Sequence, residues 1–278
     1  MTRDWVIDEH RHAGEEHRDP EQVARYDEKL PFDPIPELEH LVDYGLTEDE
    51  TIIDFGTGTG VFPLAAAEYC DQVIAIDISE SMLDVAREKA DDEGVRNVEF
   101  VHDGLVSYEH EGDPASFAFS KNVFHHLPDF WKVEALKTVG DTLEPGGIFR
   151  LHDLVYSFDL RDSTEEIKAW LEARKSTAFT EEELYNHFRE EFSTYDFLFE
   201  SMLRETGFKI LDSTYQESFY AAYTCEWRGD SHCNSVMAKL LGLYLIPQLL
   251  LGWKRQPCTR QNAPSVLERQ QQNYFSKL

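Results

Sequence analysis

Residues 51–60 of this chain are Thr-Ile-Ile-Asp-Phe-Gly-Thr-Gly-Thr-Gly. The apolar run around Asp54 predicts a buried strand that leads directly into a glycine-rich turn. Residues 61–70 follow as a predicted helix, with Pro63 tolerated in its first turn. A strand, a tight turn and a helix in this order are typical of the first unit of a parallel α/β sheet.

Strands and helices continue to alternate after this unit. The pattern predicts strands at 72–77, 98–101, 117–120 and 148–152, and helices at 79–92 and 129–139. Residues 160–206 are largely helical in pattern, and 208–211 and 218–225 are predicted to close the sheet as a hairpin. We therefore predict an α/β fold with a doubly wound, mostly parallel seven-stranded sheet. It carries an N-terminal helical cap and a helical insertion after strand five.

Charge divides the chain unevenly. The 278 residues include 54 Asp and Glu against 26 Lys and Arg, a net charge of −28. Residues 1–228 carry a net charge of −32, and residues 229–278 carry +4. We predict a cap at 1–45, a main domain at 46–228 with its helical insertion at about 157–194, and a compositionally distinct tail at 229–278. An acidic surface disfavours nucleic acid as a partner.

Composition also bears on the environment of the protein. An acid excess with more Arg than Lys is similar to proteins of halophiles that accumulate salt, and the alternative is an ordinary acidic enzyme. Four cysteines without CxxC spacing, and no apolar leader near Met1, favour a reducing cytoplasm. Residues 236–253 include the least polar stretch of the chain, the fourteen residues 240–253, which are too few to span a bilayer. It is a membrane-surface anchor, a packing or oligomer segment, or part of a foreign, fused tail; the sequence predicts no oligomeric state.

The glycine spacing distinguishes two classes of cofactor. The dinucleotide fingerprint is G-x-G-x-x-G, whereas here Gly56, Gly58 and Gly60 are followed by Val61. Asp54 places a negative charge before the turn, which repels a pyrophosphate and attracts a cation. S-adenosylmethionine is such a cation, and bare glycine backbone lets it approach closely. A tight turn without a ligand is the alternative.

Residues 52–60 resemble the first motif of class I S-adenosylmethionine-dependent methyltransferases. Asp77 ends the second predicted strand 21 residues after Gly56, where the family has an acid that holds the ribose hydroxyls. The resemblance implies an adenine contact at Ile78, and a further acid near the adenine at Asp103 beside Gly104. Asp103 alone is also typical of a turn or helix cap. The implied contacts in the first motif are Asp54, Gly56, Thr57, Gly58 and Gly60.

A second segment resembles one branch of this family in particular. Residues 120–129, Ser-Lys-Asn-Val-Phe-His-His-Leu-Pro-Asp, are similar to the fourth-strand motif of the small-molecule, quinone-biosynthesis-like branch. Residues 143–147 resemble the turn before strand five, and the residues around Tyr26 resemble the aromatic signature of the cap. Together the matches cover about residues 21–226. They imply Lys121, Asn122 and Tyr26 as further cofactor contacts.

The implied activity is transfer of a methyl group from S-adenosylmethionine to a small-molecule acceptor by in-line displacement. Little acid–base chemistry is required, because the sulfonium already activates the methyl carbon and positioning supplies much of the catalysis. The alternatives are a non-catalytic S-adenosylmethionine-binding regulatory or scaffold protein, and a methyltransferase that acts on RNA or protein.

Two adjacent histidines follow the fourth strand. His125 or His126 is a candidate general base, since the pKa of imidazole lies near neutrality. Alternatively, one packs in the core and the other caps the next helix. We predict substrate contacts at His126, His152 and Phe124. Aromatic residues in the insertion indicate either a substrate lid or internal packing.

The polar N-terminus holds several potential metal ligands. In an exposed acidic segment, such side chains are usually solvated. We therefore predict no metal site from them. They are His10, His12 and His17 with Glu9, Glu15 and Glu16.

Overall fold

The computed structural model describes residues 5–12, 14, 17, 19–175 and 179–229, without the side chains of residues 11 and 12. Apart from Gly229, the predicted tail therefore lies outside the described residues, and the division at 45 and 228 stays a prediction. Within the described part, the strands are β1 (Thr51–Phe55), β2 (Gln72–Asp77), β3 (Val98–His102), β4 (Ala115–Lys121), β5 (Leu143–Tyr156), β6 (Thr194–Tyr195), β7 (Phe208–Gln216) and β8 (Tyr220–Trp227).

The strands form one mostly parallel sheet in the order β3-β2-β1-β4-β5-β8-β7. Only β8 runs antiparallel to its neighbours on this path. The two-residue β6 pairs with β5 off the path. The predicted doubly wound, seven-stranded α/β sheet is confirmed, with β6 as an addition to it.

Helices cover the sheet and the N-terminal segment. In chain order they are α1 (Glu9–His12), α2 (Pro20–Val23), α3 (Tyr26–Lys29), α4 (Ile35–Asp43), α5 (Val61–Ala66), α6 (Glu80–Glu93), α7 (Asp129–Thr142), α8 (Ser163–Arg174), α9 (Glu181–Arg189) and α10 (Asp196–Glu205). A 3-10 turn, Phe124–His126, follows β4.

Local sequence signals place both ends of α6. The Ser79 hydroxyl accepts the N–H of Met82 at the start of α6, and Gly94 ends the helix with a φ of 73°. Helix α5 is shorter than predicted. It ends at Ala66 because the chain tightens into i→i+3 turns before it enters β2.

The core lies on both faces of the sheet. Adjacent strand residues point to opposite faces, so Ile52 and Ile53 belong to different clusters. Ile53 packs with Phe149 and Tyr223, whereas Ile52 packs with Phe117. Both faces are apolar because helices cover both sides of a parallel sheet.

The insertion after β5 has its own apolar centre. Trp170 of α8 and Leu184 of α9 are buried against Phe158 and Phe219. Phe219 lies in the hairpin turn before β8, where Glu217 takes a positive φ of 52°. The insertion is thus fixed to the antiparallel edge of the sheet, beyond the carboxyl end of β5.

Strand order reverses between β1 and β4, where one half of the sheet continues through β2 and the other through β5. Ligands of open α/β sheets bind at the carboxyl ends of strands at this reversal. The glycine turn after β1 and the 3-10 turn after β4 meet there. Among the helices of the described residues, none is long and apolar enough to cross a membrane.

Candidate functional site

The glycine turn after β1 is a backbone structure that side chains would disrupt. Gly56, Gly58 and Gly60 all take positive φ angles, of 78°, 56° and 87°. A Cβ on Gly56 would lie 2.1 Å from a methyl group of Val123, and one on Gly60 would lie 2.8 Å from the Cβ of Ala86. The pattern therefore reflects both backbone conformation and close packing.

A buried acid lies beneath this turn. Asp54 is 2% exposed and accepts a 2.5 Å hydrogen bond from the hydroxyl of Thr57. Burial raises the pKa of Asp54 to about 7, with a smaller contribution from the nearby charge of Asp77, while the Thr57 hydrogen bond opposes the shift. Asp54 is thus close to its titration point at neutral pH.

Asp77 lies at the carboxyl end of β2 and faces the space above the turn. Its Oδ2 accepts the N–H of Gly58 at 2.7 Å, and its Oδ1 accepts the N–H of Ser79 at 2.8 Å. Burial raises the pKa of Asp77, although these two hydrogen bonds oppose the shift. The carboxylate is therefore held rigidly at the edge of a cavity.

We call this space the cofactor cavity. It lies over the glycine turn and the ends of β2, β3 and β4. Ile76 and Met82 supply apolar wall, and Asp103 faces it from the end of β3. The predicted site residues that line it are Tyr26, Gly56, Gly58, Asp77, Ile78, Asp103, Lys121, Asn122 and His126.

The N-terminal segment contributes to this cavity as well. Glu9 lines it, and both of its carboxylate oxygens lie 3.1 Å from the backbone N–H of Val106. The same carboxylate covers Gly104. Burial raises the pKa of Glu9, although hydrogen bonds around Val106 and Ser107 oppose this. The prediction that Glu9 is a solvated surface acid is wrong, because the segment folds back over β3.

Asn122 has an unusual backbone conformation and, among the described residues, a buried side-chain oxygen without a hydrogen-bond partner. Its φ is +57°, a left-handed value for a residue other than glycine. Its buried amide oxygen accepts no hydrogen bond from the described part of the chain. A buried polar atom without a partner is costly, so this oxygen is suited to a ligand donor. The preceding Lys121 also faces the cofactor cavity, and burial lowers its pKa.

His125 is buried and anchored by an acid on β5. Its Nδ1 donates to Asp153 Oδ1 at 2.7 Å. Burial opposes the charge on His125, but the Asp153 carboxylate more than offsets this and raises the pKa of the imidazole. His125 therefore has a fixed orientation, and its Nε2 points towards Glu191 of the insertion at 3.8 Å.

His125 and His126 line a second cavity, of about 390 Å³. Its walls come from the N-terminal segment, the 3-10 turn, the insertion and the ends of β5 and β8, and they include Trp170, Phe179, Tyr220 and Glu191. Tyr26, Asn122, His126 and His17 line both this cavity and the cofactor cavity. The two spaces are therefore neighbours with a common wall.

His17 differs from its prediction. The sequence predicts a solvated side chain, whereas the structure has it half-buried, with its ring 5.4 Å from that of His126 and 5.5 Å from that of Tyr26. The reason is again the return of the N-terminal segment over the ends of the strands. The side chain of His12, and residues Glu15 and Glu16, lie outside the described structure.

Two predicted substrate contacts lie elsewhere. Phe124 is fully buried against Phe149 and Phe199 and lines neither cavity, because the 3-10 turn directs it into the core. His152 lies 3.7 Å from Glu37 and 3.3 Å from Lys121, outside the walls of both cavities. Three predicted cofactor contacts do not line the cofactor cavity. Asp54 lies beneath the glycine turn, and Thr57 and Gly60 belong to the turn itself.

The strands that form the cofactor cavity lie in a part of the chain that matches a known protein family. Residues 52–147, from β1 to the start of β5, match a family model described as a methyltransferase domain. The chain is a methyltransferase that depends on S-adenosylmethionine. Its class I fold follows from the sheet order together with this match.

The methyltransferase has curated relatives of moderate similarity. It is 24% identical over 185 residues to a carboxy-S-adenosyl-L-methionine synthase from Nautilia profundicola, covering 64% of this chain and 77% of that one. It is 28% identical over 101 residues to a demethylmenaquinone methyltransferase from Oceanobacillus iheyensis, covering 35% of this chain and 42% of that one. The chain thus spans less than half the length of the latter.

A solved structure has a similar fold. It is phosphoethanolamine N-methyltransferase 2 from Haemonchus contortus, in complex with phosphomonomethylethanolamine and S-adenosylhomocysteine. The TM-score is 0.60 at 17% identity, and the match covers 80% of this chain and 60% of that one. At this identity the likeness concerns the fold alone.

The cofactor cavity fits S-adenosylmethionine chemically. Asp77 and Asp103 supply carboxylate acceptors for hydroxyl and amine groups, and the open space above Gly58 admits a ligand close to the backbone. The unpaired amide oxygen of Asn122 suits an ammonium donor. A cationic ligand also favours the ionised form of Asp54.

Several residues that line the two cavities carry no signal of that position in the sequence. Glu9 and His17 come from a segment interpreted as solvated, and Glu191 lies in the insertion, which carries no family motif. Asp153, which follows the predicted substrate contact His152, orients His125. An isolated acid in a helix-rich insertion carries no local signal of what it contacts.

Proposed function

We propose that this methyltransferase transfers the methyl group of S-adenosylmethionine to a small-molecule acceptor bound in the second cavity. The observation that carries the proposal is the common wall, since Tyr26, Asn122 and His126 line both cavities. Ligands in the two spaces would meet at this wall. Alignment of donor and acceptor supplies up to about 7–11 kcal/mol of the barrier reduction in such a displacement.

The proposed cofactor contacts follow from the cofactor cavity. Asp77 would accept hydrogen bonds from the ribose hydroxyls, and Asp103 from the adenine amine. The methionyl part would lie on Gly56 and Gly58, with its ammonium group donating to Asn122. Asp54 would act through its charge beneath the turn.

The second cavity suits a compact acceptor with an apolar ring. Its volume of about 390 Å³ is in the range of small-molecule sites, and aromatic side chains of Tyr26, Trp170, Phe179 and Tyr220 line it. A quinone-like or phenolic ring is supported by residues 125–128 and by the similarity to a demethylmenaquinone methyltransferase. The net charge of −32 on residues 1–228 disfavours RNA.

The insertion is the proposed source of acceptor specificity. Helices α8 and α9 and the following Glu191 contribute to the second cavity, but no residue of 157–194 in the described structure lines the cofactor cavity. Phe179→Ala should therefore alter turnover and the KM for the acceptor while leaving cofactor affinity unchanged.

The test has two stages. Calorimetric titration with S-adenosylhomocysteine in molar KCl measures cofactor binding, and a panel of phenols, quinols and amines then tests release of S-adenosylhomocysteine from S-adenosylmethionine. Micromolar binding and turnover of a small acceptor would support the proposal. Failure of the folded protein to bind S-adenosylhomocysteine, or turnover with RNA or protein only, would refute it.

A further inference from the structure

Histidine and carboxylate side chains converge on the floor of the second cavity. Within the described residues, the donor atoms of His125, His126 and Glu191 lie within 4.8 Å of one another. All three residues line the cavity. The sequence does not predict a metal site here, because Glu191 is 65 residues from His126 along the chain.

His125 is prepared for ligation by the acid behind it. The Asp153 carboxylate accepts backbone N–H groups of Val123, Phe124 and Leu154 at 2.7–3.0 Å, as well as the His125 ring. A carboxylate only accepts, so Nδ1 of His125 carries a proton, and a metal ion would bind at Nε2 in place of the proton that the charged ring carries there. A carboxylate behind a histidine is the arrangement that orients metal ligands in proteins.

His126 and Glu191 supply the other two potential metal-binding atoms of this cluster. Glu191 Oε2 lies 3.8 Å from His125 Nε2, and it also contacts His187. Ligand atoms about 2.0–2.2 Å from a transition metal stand about 3–3.5 Å apart, so small side-chain rotations would bring these donors to bonding distance. Burial of His125 beside two carboxylates also gives a site in which a divalent cation balances negative charge.

We propose that His125, His126 and Glu191 bind a divalent transition-metal ion at the acceptor end of the active site. Two imidazoles and one carboxylate are a set suited to Zn²⁺, Mn²⁺, Fe²⁺ or Co²⁺, and three protein ligands leave positions open towards the cavity. Mg²⁺ and Ca²⁺ prefer oxygen ligands and would bind more weakly.

The site also specifies the acceptor, in an extension that rests on the proposed function. An acceptor hydroxyl that occupied an open position of the metal would lose its proton to solvent, because the cation lowers the pKa of the bound group. The oxygen lone pair would then form the bond to the methyl carbon. The carbon–sulfur bond breaks with its electron pair on sulfur, which leaves neutral S-adenosylhomocysteine. The acceptor class is therefore an enol, phenol or other hydroxyl compound.

The test uses Co²⁺ as the probe and the full-length protein. After treatment with EDTA and its removal, Co²⁺ is titrated in molar KCl while visible absorption is followed. Co²⁺ with imidazole ligands in a site of low coordination number absorbs far more strongly than octahedral Co²⁺ on surface carboxylates, so the acidic surface does not mask the result. We expect a saturable strong band at one Co²⁺ per chain, with Zn²⁺ displacing it.

Matched variants locate the ion. Glu191→Gln should weaken Co²⁺ binding at least tenfold, whereas Glu190→Gln, which makes the same change at the exposed neighbouring residue, should leave it unchanged. His126→Asn provides a second ligand variant if Glu191→Gln fails to fold. Weak octahedral absorption alone, or equal effects of the two glutamate variants, would overturn the proposal.

Cofactor binding separates this result from the proposed function. The metal-free protein should still bind S-adenosylhomocysteine, because none of its proposed cofactor contacts changes. Co²⁺ binding without S-adenosylhomocysteine binding would refute the proposed function and retain the metal site. The reverse outcome would refute the metal site alone.

Discussion

The carboxylate of Asp77 accepts the backbone N–H of Gly58 at 2.7 Å, so the end of β2 holds the turn that follows β1. Its other oxygen accepts the N–H of Ser79 at the start of α6. Hydrogen bonds to a charged acceptor are stronger than neutral ones. One side chain therefore shapes the cofactor cavity and presents a charge to it.

Asp77→Asn tests this double role. The amide keeps one acceptor oxygen but loses the charge, and a charged hydrogen bond contributes roughly 1.5–3 kcal/mol. We expect S-adenosylhomocysteine affinity, measured by calorimetry, to fall by roughly tenfold or more. Asp71→Asn is the matched control, since Asp71 is exposed just before β2. Equal affinities of wild type and Asp77→Asn would contradict the assignment.

Cofactor binding should also release protons. Asp54, with its pKa raised to about 7, is largely protonated at pH 6, and a cationic cofactor above the turn lowers that pKa. S-adenosylmethionine binding at pH 6 should therefore release protons, and at pH 9 it should release almost none. Calorimetry in buffers of different ionisation enthalpy measures this number. Asp54→Asn should reduce the release at pH 6, and an unchanged value would rule out Asp54 as its source.

A buried ion pair should make the free energy of unfolding depend on pH in the acid range. Glu37 accepts from Arg150 Nε at 2.7 Å and lies 3.7 Å from His152. Burial opposes its charge, but the two bases more than offset this and lower its pKa to about 2, from 4.5 in the unfolded chain. Because the folded pKa is the lower one, the stabilisation is complete above about pH 4.5 and is lost as the pH falls towards 2.

Glu37→Gln removes the contribution of the Glu37 charge to the free energy of unfolding. Urea unfolding should show the variant less stable than wild type by at most about 3 kcal/mol at pH 7, and by about half of that near pH 3. Glu39→Gln, at an exposed position on the same helix, should follow wild type at both pH values. A difference between wild type and Glu37→Gln that did not change with pH would contradict the mechanism.

The acidic composition predicts salt-dependent stability. Residues 1–228 carry a net charge of −32, and their mutual repulsion is screened within about 3 Å at 1 M salt. We expect the midpoint of thermal unfolding to rise by several degrees from low salt to molar KCl. Equal midpoints would instead favour the ordinary acidic enzyme.

Local patterns account for what could be predicted. The glycine turn and Asp77 are recognisable because backbone conformation and spacing along one strand–turn–helix unit determine them. Val123 was not linked to Gly56 in advance, although its methyl group lies where a Cβ of Gly56 would be. That contact joins turns after two different strands, so it depends on the sheet order rather than on local sequence.

Contacts between distant segments account for most of what was missed. Glu9 reaches Val106 and Glu191 reaches His125, and both acids belong to polar stretches that look solvated in isolation. Phe124, predicted as a substrate contact, differs from its prediction for a local reason. It stands between residues that line the cavities, but the 3-10 turn points it into the core.

The common wall of the two cavities has a kinetic consequence. His17 and Tyr26 of the N-terminal segment line both spaces. Under the proposed function, spent S-adenosylhomocysteine and the methylated product would be held by these same side chains. Replacing the donor requires these side chains to move, which also loosens their hold on the product. An acceptor with two reactive groups would then leave between transfers, and we expect the enzyme to be distributive rather than processive.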